Sequence, residues 1–175
     1  MKYLVITVTF IVIVNNLFAQ EKEPVVLQNH SLTATILSPG LQYELKLSDN
    51  KSLAINGAIA VNGHYSSYSG LCVSTDPFIQ TTYRRYYDRK SVKKPLKHNS
   101  GNYYGTFLRY THDRLGENRV INNSSVSTGF TWGMQRNYKS NLHIGFNTGI
   151  GMEYSEYYGF RGHLSAGIQI GFLIK

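Results

Sequence analysis

The chain has a single cysteine, Cys72, among its 175 residues. One thiol excludes an intrachain disulfide and a metal cluster built on cysteines. Charged residues make up only 16% of the chain, and there is no internal repeat or low-complexity tract. Beyond the first twenty residues, no apolar run approaches the roughly 20 residues that a membrane-spanning helix needs. A disulfide scaffold and a bundle of membrane helices are therefore both excluded.

The first nineteen residues are typical of a secretory signal peptide. Lys2 supplies a positive start, residues 4–14 form an apolar core without a charged residue, and Ala19 ends a short exit of polar and small residues. The alternative is an uncleaved anchor, but the apolar run is too short to span a bilayer. Cleavage after Ala19 would remove 19 of the 175 residues and leave 156, which suits one domain. The next residue is Gln20 rather than cysteine, so a lipoprotein anchor is not indicated.

What the chain does contain is alternation. Fourteen tyrosines and sixteen glycines favour β structure with close backbone approaches. Residues 141–154 read NLHIGFNTGIGMEY, where apolar and aromatic residues alternate with glycine, asparagine and histidine. Strict alternation is typical of a strand with two unlike faces. Similar patterns predict strands at 53–65, 102–112, 125–135 and 162–174. Residues 78–87 are expected to form a further strand with less distinct faces, and no segment predicts a convincing helix.

The predicted strands are long, at about 10 to 13 residues. Globular strands average about 5–6 residues, whereas a tilted membrane strand needs about 9–11. Residues 31–47 are ambiguous because the alternation slips at 38–40. They form either one bent strand or a hairpin, and the hairpin gives eight strands in all. Connections are expected near 48–51, 62–76, 88–100, 112–123, 136–140 and 154–160.

Two barrels fit a chain of this size, and they differ in which face lies inside. A soluble ligand-binding barrel has an apolar interior and a charged exterior, whereas an outer-membrane barrel has the reverse. The second face of the last three strands is rich in glycine and weakly polar, which suits the cramped lumen of an eight-stranded barrel. We therefore predict an all-β, antiparallel up-and-down transmembrane β-barrel of eight strands. It would occupy 31–175 after a lead-in at 20–30 and a signal peptide at 1–19, with a soluble exported ligand-binding barrel as the alternative.

The last two strands also predict a register. Pairing around a loop centred on Tyr157 places Glu153 opposite Arg161, a charge pair on the polar face. Bulky inward residues then face glycines: His163 faces Gly151, Gln169 faces Gly145 and His143 faces Gly171. The outer face pairs apolar residues: Ile150 with Leu164, Phe146 with Ile168 and Leu142 with Phe172.

The chain resembles the small bacterial outer-membrane β-barrels of the OmpA and OmpX type, and within them an uncharacterised family described as a domain of unknown function. The resemblance rests on the LFAQ signal end, Leu41-Gln-Tyr-Glu-Leu, Arg84-Arg-Tyr-Tyr, Asn99-Ser-Gly-Asn-Tyr-Tyr-Gly and the last strand. It implies an eight-stranded barrel that the outer-membrane assembly machinery inserts by reading the final strand, and it implies no catalytic residues. The chain departs from the pattern at its end, Phe172-Leu-Ile-Lys175, because such proteins often end in phenylalanine.

A basic run at 84–98 is expected to form a solvated connection. Its cationic residues outnumber the one acid, Asp88: Arg84, Arg85, Arg89, Lys90, Lys93, Lys94 and Lys97. If the C-terminus is periplasmic, this connection faces the periplasm, where peptidoglycan or a periplasmic protein is the candidate partner. Nucleic acid is not an expected partner of an exported barrel.

Five charged residues fall on the predicted lumen face: Glu44, Lys46, Arg109, Glu153 and Arg161. We interpret them as a network of paired charges that closes the lumen, because buried charges need partners; an ion path is the alternative. His163 and Ser165 share one strand face, with Glu153 as the nearest acid, as in some lipid A deacylases. The expected function is a structural or interaction barrel in outer-membrane lipid, with no cofactor and no metal. A lipid A-modifying enzyme that uses His163 and Ser165 is the alternative.

Overall fold

The computed structural model describes residues 22–23, 26–66, 70–87, 89–90, 98–112 and 124–174. Eight antiparallel strands form a closed barrel in which neighbours in sequence are neighbours in the sheet. Their bounds in chain order are β1 His30–Thr35, β2 Gly40–Ser48, β3 Lys51–Ser66, β4 Gly70–Tyr87, β5 Gly101–Thr111, β6 Ser125–Asn137, β7 Leu142–Ser155 and β8 Gly159–Leu173. The predicted all-β, up-and-down fold of eight strands is confirmed. The expected signal peptide at 1–19 lies outside the described residues.

The barrel has two ends, which we call proximal and distal. The proximal end carries residues 26–29, the turn at 49–50, residues 98–100, the turn at 138–141 and the end of β8. The distal end carries the turns at 36–39 and 156–158. Outside the barrel, Lys22–Glu23 pairs with Arg89–Lys90. Among the described residues, no helix is long and apolar enough to cross a membrane.

The ambiguous segment at 31–47 is a hairpin, since β1 and β2 pair from Thr35 opposite Gly40 to His30 opposite Leu45. The register predicted for the last two strands is also confirmed. Glu153 lies opposite Arg161, and Gly151, Gly145 and Gly171 lie opposite His163, Gln169 and His143. On the outer face Ile150, Phe146 and Leu142 pair with Leu164, Ile168 and Phe172. Alternation therefore fixes both the strand and its partner here.

The predicted connection at 62–76 is wrong. Strands β3 and β4 continue through it and stay paired as far as Ser66 opposite Gly70. On its other side, within the described residues, β4 pairs with β5 from Phe78 onward, and His112 N donates to Pro77 O at 2.9 Å. The hairpin of β3 and β4 therefore extends distally beyond the described part of β5, which the weak alternation of this segment did not reveal.

The strands of the barrel are strongly staggered. A path across paired residues runs from Gly171 of β8 through Thr35, Gly40, Ala58, Phe78, Thr111, Ser125 and Ser155, and returns to β8 at Gly159. The start and the return lie twelve residues apart along β8. Closing a sheet into a barrel requires such a stagger, and a larger stagger tilts the strands further from the axis.

The barrel closes through a short seam between β8 and β1. In the described part of the chain its ladder has three residue pairs: Gly171 with Thr35, Phe172 with Ala34 and Leu173 with Thr33. The ladder between β7 and β8 has fourteen. The seam is short because β1 has six residues and turns back at 36–39, whereas β8 has fifteen. The wall distal to the β1–β2 turn is therefore interrupted over a width of two strands.

The two faces of the barrel are inverted relative to a water-soluble protein. Among the described residues, seventeen polar or charged side chains are buried, against seven hydrophobic ones. Large apolar side chains project outward, and the exposed fraction reaches 71% for Phe130, 63% for Ile150 and 80% for Leu164. Tyr154 and Phe160 pair near the distal end of the outer face, with ring centroids 4.9 Å apart. The interior of this barrel is polar and its exterior is apolar.

Candidate functional site

The proximal half of the lumen is filled by a polar cluster, which we call the floor network: Gln42, Glu44, Ser52, Arg84, Tyr86 and Gln135. Its centre is the Glu44 carboxylate, and all of its members are buried. One Glu44 oxygen, Oε1, accepts hydrogen bonds from Ser52 Oγ and Tyr86 Oη, both at 2.6 Å. The other, Oε2, accepts one from Gln135 Nε2 at 2.9 Å. These three charge-assisted hydrogen bonds offset the free-energy cost of burying the carboxylate.

The counter-ion of Glu44 is Arg84, whose Nη1 lies 3.7 Å from Glu44 Oε2. The Arg84 guanidinium also donates to Gln135 Oε1 at 2.9 Å and to Gln42 Oε1 at 3.0 Å. It lies 4.6 Å from the centroid of the Tyr103 ring. Strands β2, β4 and β6 thus meet across the lumen through one carboxylate and one guanidinium.

The lead-in seals the floor network from the proximal side. Leu27 is buried against Tyr86 and Tyr103. Its neighbours are held by Asn99, whose Oδ1 accepts from Gln28 N at 2.6 Å and whose N donates to Val26 O at 2.8 Å. The predicted lead-in therefore acts, from residue 26 onward, as a cover for the barrel.

A second cluster lies in the distal half. Glu153 is paired with Arg161, and His163 Nδ1 lies 2.8 Å from Glu153 Oε2. Ser165 occupies the next inward position of β8, but among the described residues its hydroxyl has no hydrogen bond to His163. The ring of His163 instead packs against Phe107, with centroids 5.9 Å apart. An acid–histidine pair is present, and the serine does not complete it as a nucleophile would require.

The five predicted lumen charges do not form one network. Glu44 belongs to the floor network, and Glu153 and Arg161 belong to the distal cluster. Lys46 pairs with the exposed Asp49 at 3.0 Å, at the proximal rim. Arg109 lies over the Phe78 ring at 3.9 Å and donates from Nε to Thr111 Oγ1 at 3.2 Å. The prediction of paired charges thus describes two separate clusters.

The expected basic connection begins later than predicted. Arg84 lies within β4 and is 4% exposed, so its assignment to a solvated connection is wrong. Arg85 is also in β4, on the outer face. Arg89 and Lys90 pair with the short segment at 22–23. Lys93, Lys94 and Lys97 lie outside the described residues.

Sequence reasoning missed Arg84, Tyr86 and Gln135 as lumen residues. The signal for the first two was present, because Thr82, Arg84 and Tyr86 alternate with Tyr83, Arg85 and Tyr87. The run of positive charge at 84–98 led us to assign Arg84 to a solvated connection in spite of this alternation. Gln135 was missed as a partner of the floor network because nothing in the sequence pairs it with residues of β2 and β4.

Between the two clusters lies a cavity of about 160 Å³. Arg84 of the floor network and Tyr103 line it on the proximal side, and Phe78 and Phe107 line it further toward the distal end. Arg109, Gln80, Asn147 and Gln169 contribute polar groups to its wall. Ala166 and Ile168 also border the cavity although they belong to the outward-facing positions of β8, so it extends to the interrupted part of the barrel wall.

The described residues contain no group of three or more histidine, cysteine, aspartate or glutamate side chains able to hold a metal ion. Comparison of the chain with protein-family models, with curated proteins and with solved structures finds no match in any of the three.

Proposed function

We propose that the chain is an outer-membrane β-barrel of structural or interaction type, with a lumen closed by its own side chains and no catalytic activity. The observation that carries this proposal is the inverted barrel: buried polar groups inside and exposed apolar side chains outside. In water, that outer face would be a large apolar patch, which soluble monomers rarely expose. In a bilayer, the same face would be the apolar band, flanked by aromatic rings, that membrane barrels present to lipid.

The strand lengths support a membrane setting. Strands β3 to β8 have 11 to 18 residues, at or above the about 9–11 that cross a bilayer when tilted. In the proposed orientation the proximal end faces the periplasm. The distal turns and the extended β3–β4 hairpin face outward, where they would meet partners. Lipid would contact the outer face, and the assembly machinery would read β8.

The proposal includes a barrel that does not conduct. Glu44, Arg84 and Gln135 fill the proximal lumen, and Leu27 covers them. The distal acid–histidine pair does not provide a catalytic serine, since Ser165 makes no hydrogen bond to His163 in the described residues. A lipid-modifying enzyme is therefore not favoured.

Cell fractionation combined with a heat-shift gel tests the proposal. A band in the outer-membrane fraction that migrates differently before and after boiling is the expected result, because folded membrane barrels resist the detergent used in such gels. A soluble periplasmic protein with no heat shift would contradict it and favour the soluble ligand-binding barrel. In planar bilayers, the purified barrel is expected to show no sustained single-channel current.

A further inference from the structure

The interrupted wall of the barrel opens the central cavity toward the side rather than toward either end. Among the described residues, strand β8 is paired with β1 at residues 171–173. Ile36 N donates to Ile170 O and Ile174 N donates to Leu32 O on either side of these pairs, both at 2.8 Å. Within the described residues, no strand pairs with this edge of β8 between Gly159 and Gln169. Across the gap, Ile59 N donates to Pro39 O at 3.0 Å, and in the part of the chain that the structure describes the remaining distal residues of β3 pair with β4 alone.

The gap lies at the height of the apolar outer face. The exposed side chains of Leu164, Ile168 and Ile170 flank it on β8, and those of Ile36 and Leu37 form the tip of the turn at its base. Unpaired strand edges are not tolerated in lipid unless they line a protein or water-filled cavity. In the proposed membrane setting, the gap therefore connects the hydrocarbon region with a polar cavity. A molecule bound there needs an apolar part in the hydrocarbon region and a polar part in the cavity.

The charges around the cavity select the polar part of such an occupant. Two arginines, Arg84 and Arg109, border it, and no aspartate or glutamate does so among the described residues. The charge of Arg84 is already opposed by Glu44. The carboxylates of Asp76 and Glu153 interact with Arg109 from outside the cavity. Arg109 is nevertheless a charged N–H donor in the cavity wall, and the side-chain amides of Gln80 and Asn147 add further donors. This chemistry favours an anion.

The size of the cavity limits the group that enters. A volume of about 160 Å³ is close to the roughly 150 Å³ of an engineered cavity that binds benzene. A carboxylate with its first methylenes fits such a space, whereas a glycerophosphate headgroup or a whole lipid does not. The remainder of the molecule must lie outside the cavity, along the apolar edge formed by Ala166 and Ile168.

We propose that the cavity is a side pocket for a fatty acid, with the carboxylate near Arg109 and the acyl chain leaving between β8 and the β1–β2 turn into the bilayer. The access route rests on the proposed membrane location, whereas the pocket itself rests on the lining residues and the interrupted wall. Neither Glu153 nor His163 of the acid–histidine pair lines the cavity, although Glu153 interacts electrostatically with Arg109.

Photolabelling tests the side pocket. The full barrel in phospholipid vesicles is exposed to a saturated fatty acid that carries a diazirine next to its carboxylate, and adducts are located by mass spectrometry. Adducts on the inward residues Asn147 and Ser165 are expected. Unlabelled palmitate should compete for them, whereas the alcohol of the same chain length should not. This comparison uses the unaltered chain, so it does not depend on a variant that folds.

Two variants and a matched control refine the test. Gly167→Leu places a side chain in the pocket, where even a Cβ would lie 3.1 Å from Asn147 Oδ1, and should abolish the inward adducts. Arg109→Gln should lower them about tenfold at limiting probe, the loss typical of one charge-assisted hydrogen bond. Gly162→Leu, on the same strand but with open space around its Cβ, should leave them unchanged.

Adducts confined to outward residues such as Leu164, with equal competition by palmitate and the alcohol, would overturn the side pocket. The same samples are scored by the heat-shift gel. An inserted barrel without inward adducts overturns the pocket alone, whereas failure to insert overturns the proposed function. Inward adducts on a barrel that stays soluble would support the pocket and refute its access from lipid.

Discussion

Glu44 and Arg84 meet across the lumen from two strands that are not neighbours, with 3.7 Å between Oε2 and Nη1 and side-chain exposures of 1% and 5%. Strand β3 lies between β2 and β4 in the sheet, so this contact spans the barrel interior rather than a ladder. The pair joins strands whose backbones share no hydrogen bonds, and it makes the floor network the main polar cross-brace of the proximal lumen.

Removing one member of this pair should be strongly destabilising. Glu44→Gln leaves Arg84 buried without its counter-ion, and breaking a buried pair in this way typically costs about 3–5 kcal/mol. Urea titration of the barrel in lipid vesicles measures the free energy of unfolding. Asp49→Asn is the control, since it removes the exposed partner of Lys46 and should change that free energy by less than about 1 kcal/mol. Equal effects of the two substitutions would show that the floor network does not brace the barrel.

The cover formed by the lead-in is expected to contribute to stability. Leu27 is 6% exposed and Val26 is 56% exposed, although they are neighbours in sequence. Leu27→Ala should cost about 2–4 kcal/mol, because it opens a cavity against Tyr86 and Tyr103. Val26→Ala should cost less than about 0.5 kcal/mol. The same urea titration separates them, and a loss at Leu27 no larger than at Val26 would mean that the lead-in does not cover the floor network.

The effect of replacing a barrel glycine by alanine should depend on how close the backbone of the neighbouring strand lies. A Cβ at Gly129 would lie against the carbonyl oxygen of Ile150 and 2.5 Å from the Cα of Gly151. A Cβ at Gly57 meets nothing within 4 Å. Gly129→Ala should therefore destabilise the barrel by about 1–3 kcal/mol, whereas Gly57→Ala should be neutral or stabilise it by up to about 1 kcal/mol. Folding yield and urea midpoint in vesicles report both effects, and a benign Gly129→Ala would contradict the close approach of β6 and β7.

Unfolding of the barrel should begin with separation of β8 from β1 at the seam. Thr33 and Leu173 lie directly opposite each other across it, and such Cα atoms are about 4.5–5.5 Å apart, within reach of a disulfide. With Cys72 replaced by serine, oxidation of a Thr33→Cys, Leu173→Cys variant should raise the free energy of unfolding by about 3–5 kcal/mol. Reduction should reverse the gain. An oxidised variant no more stable than the reduced one would mean that opening does not begin at the seam.

Local alternation was sufficient to predict most of the fold. The register of β7 and β8 followed from glycines placed opposite His143, His163 and Gln169, because side-chain size must be complementary across adjacent strands. The strand content of 62–76 was missed, because its alternation is weak and its glycine and serine residues suggest a loop.

The floor network could not be predicted in full. Its members come from β2, β3, β4 and β6, and sequence spacing does not tell which side chains meet across a lumen. Arg84 was assigned to a solvated connection because a run of positive charge usually lies in water. The short seam depends on the stagger of the whole barrel, which no single segment encodes.

The central claim is that the apolar outer face contacts lipid while the polar inner face is enclosed. Nitroxide labels at Ile150, Asn147 and Glu156 in a Cys72→Ser barrel test it most directly, through collisions with oxygen and with a water-soluble nickel complex in vesicles. Ile150 is outward and 63% exposed, Asn147 lines the cavity, and Glu156 is in an exposed distal turn. We expect Ile150 to favour oxygen strongly, Glu156 to favour the nickel complex and Asn147 to be shielded from that complex. A label at Ile150 as accessible to the nickel complex as one at Glu156 would contradict the claim.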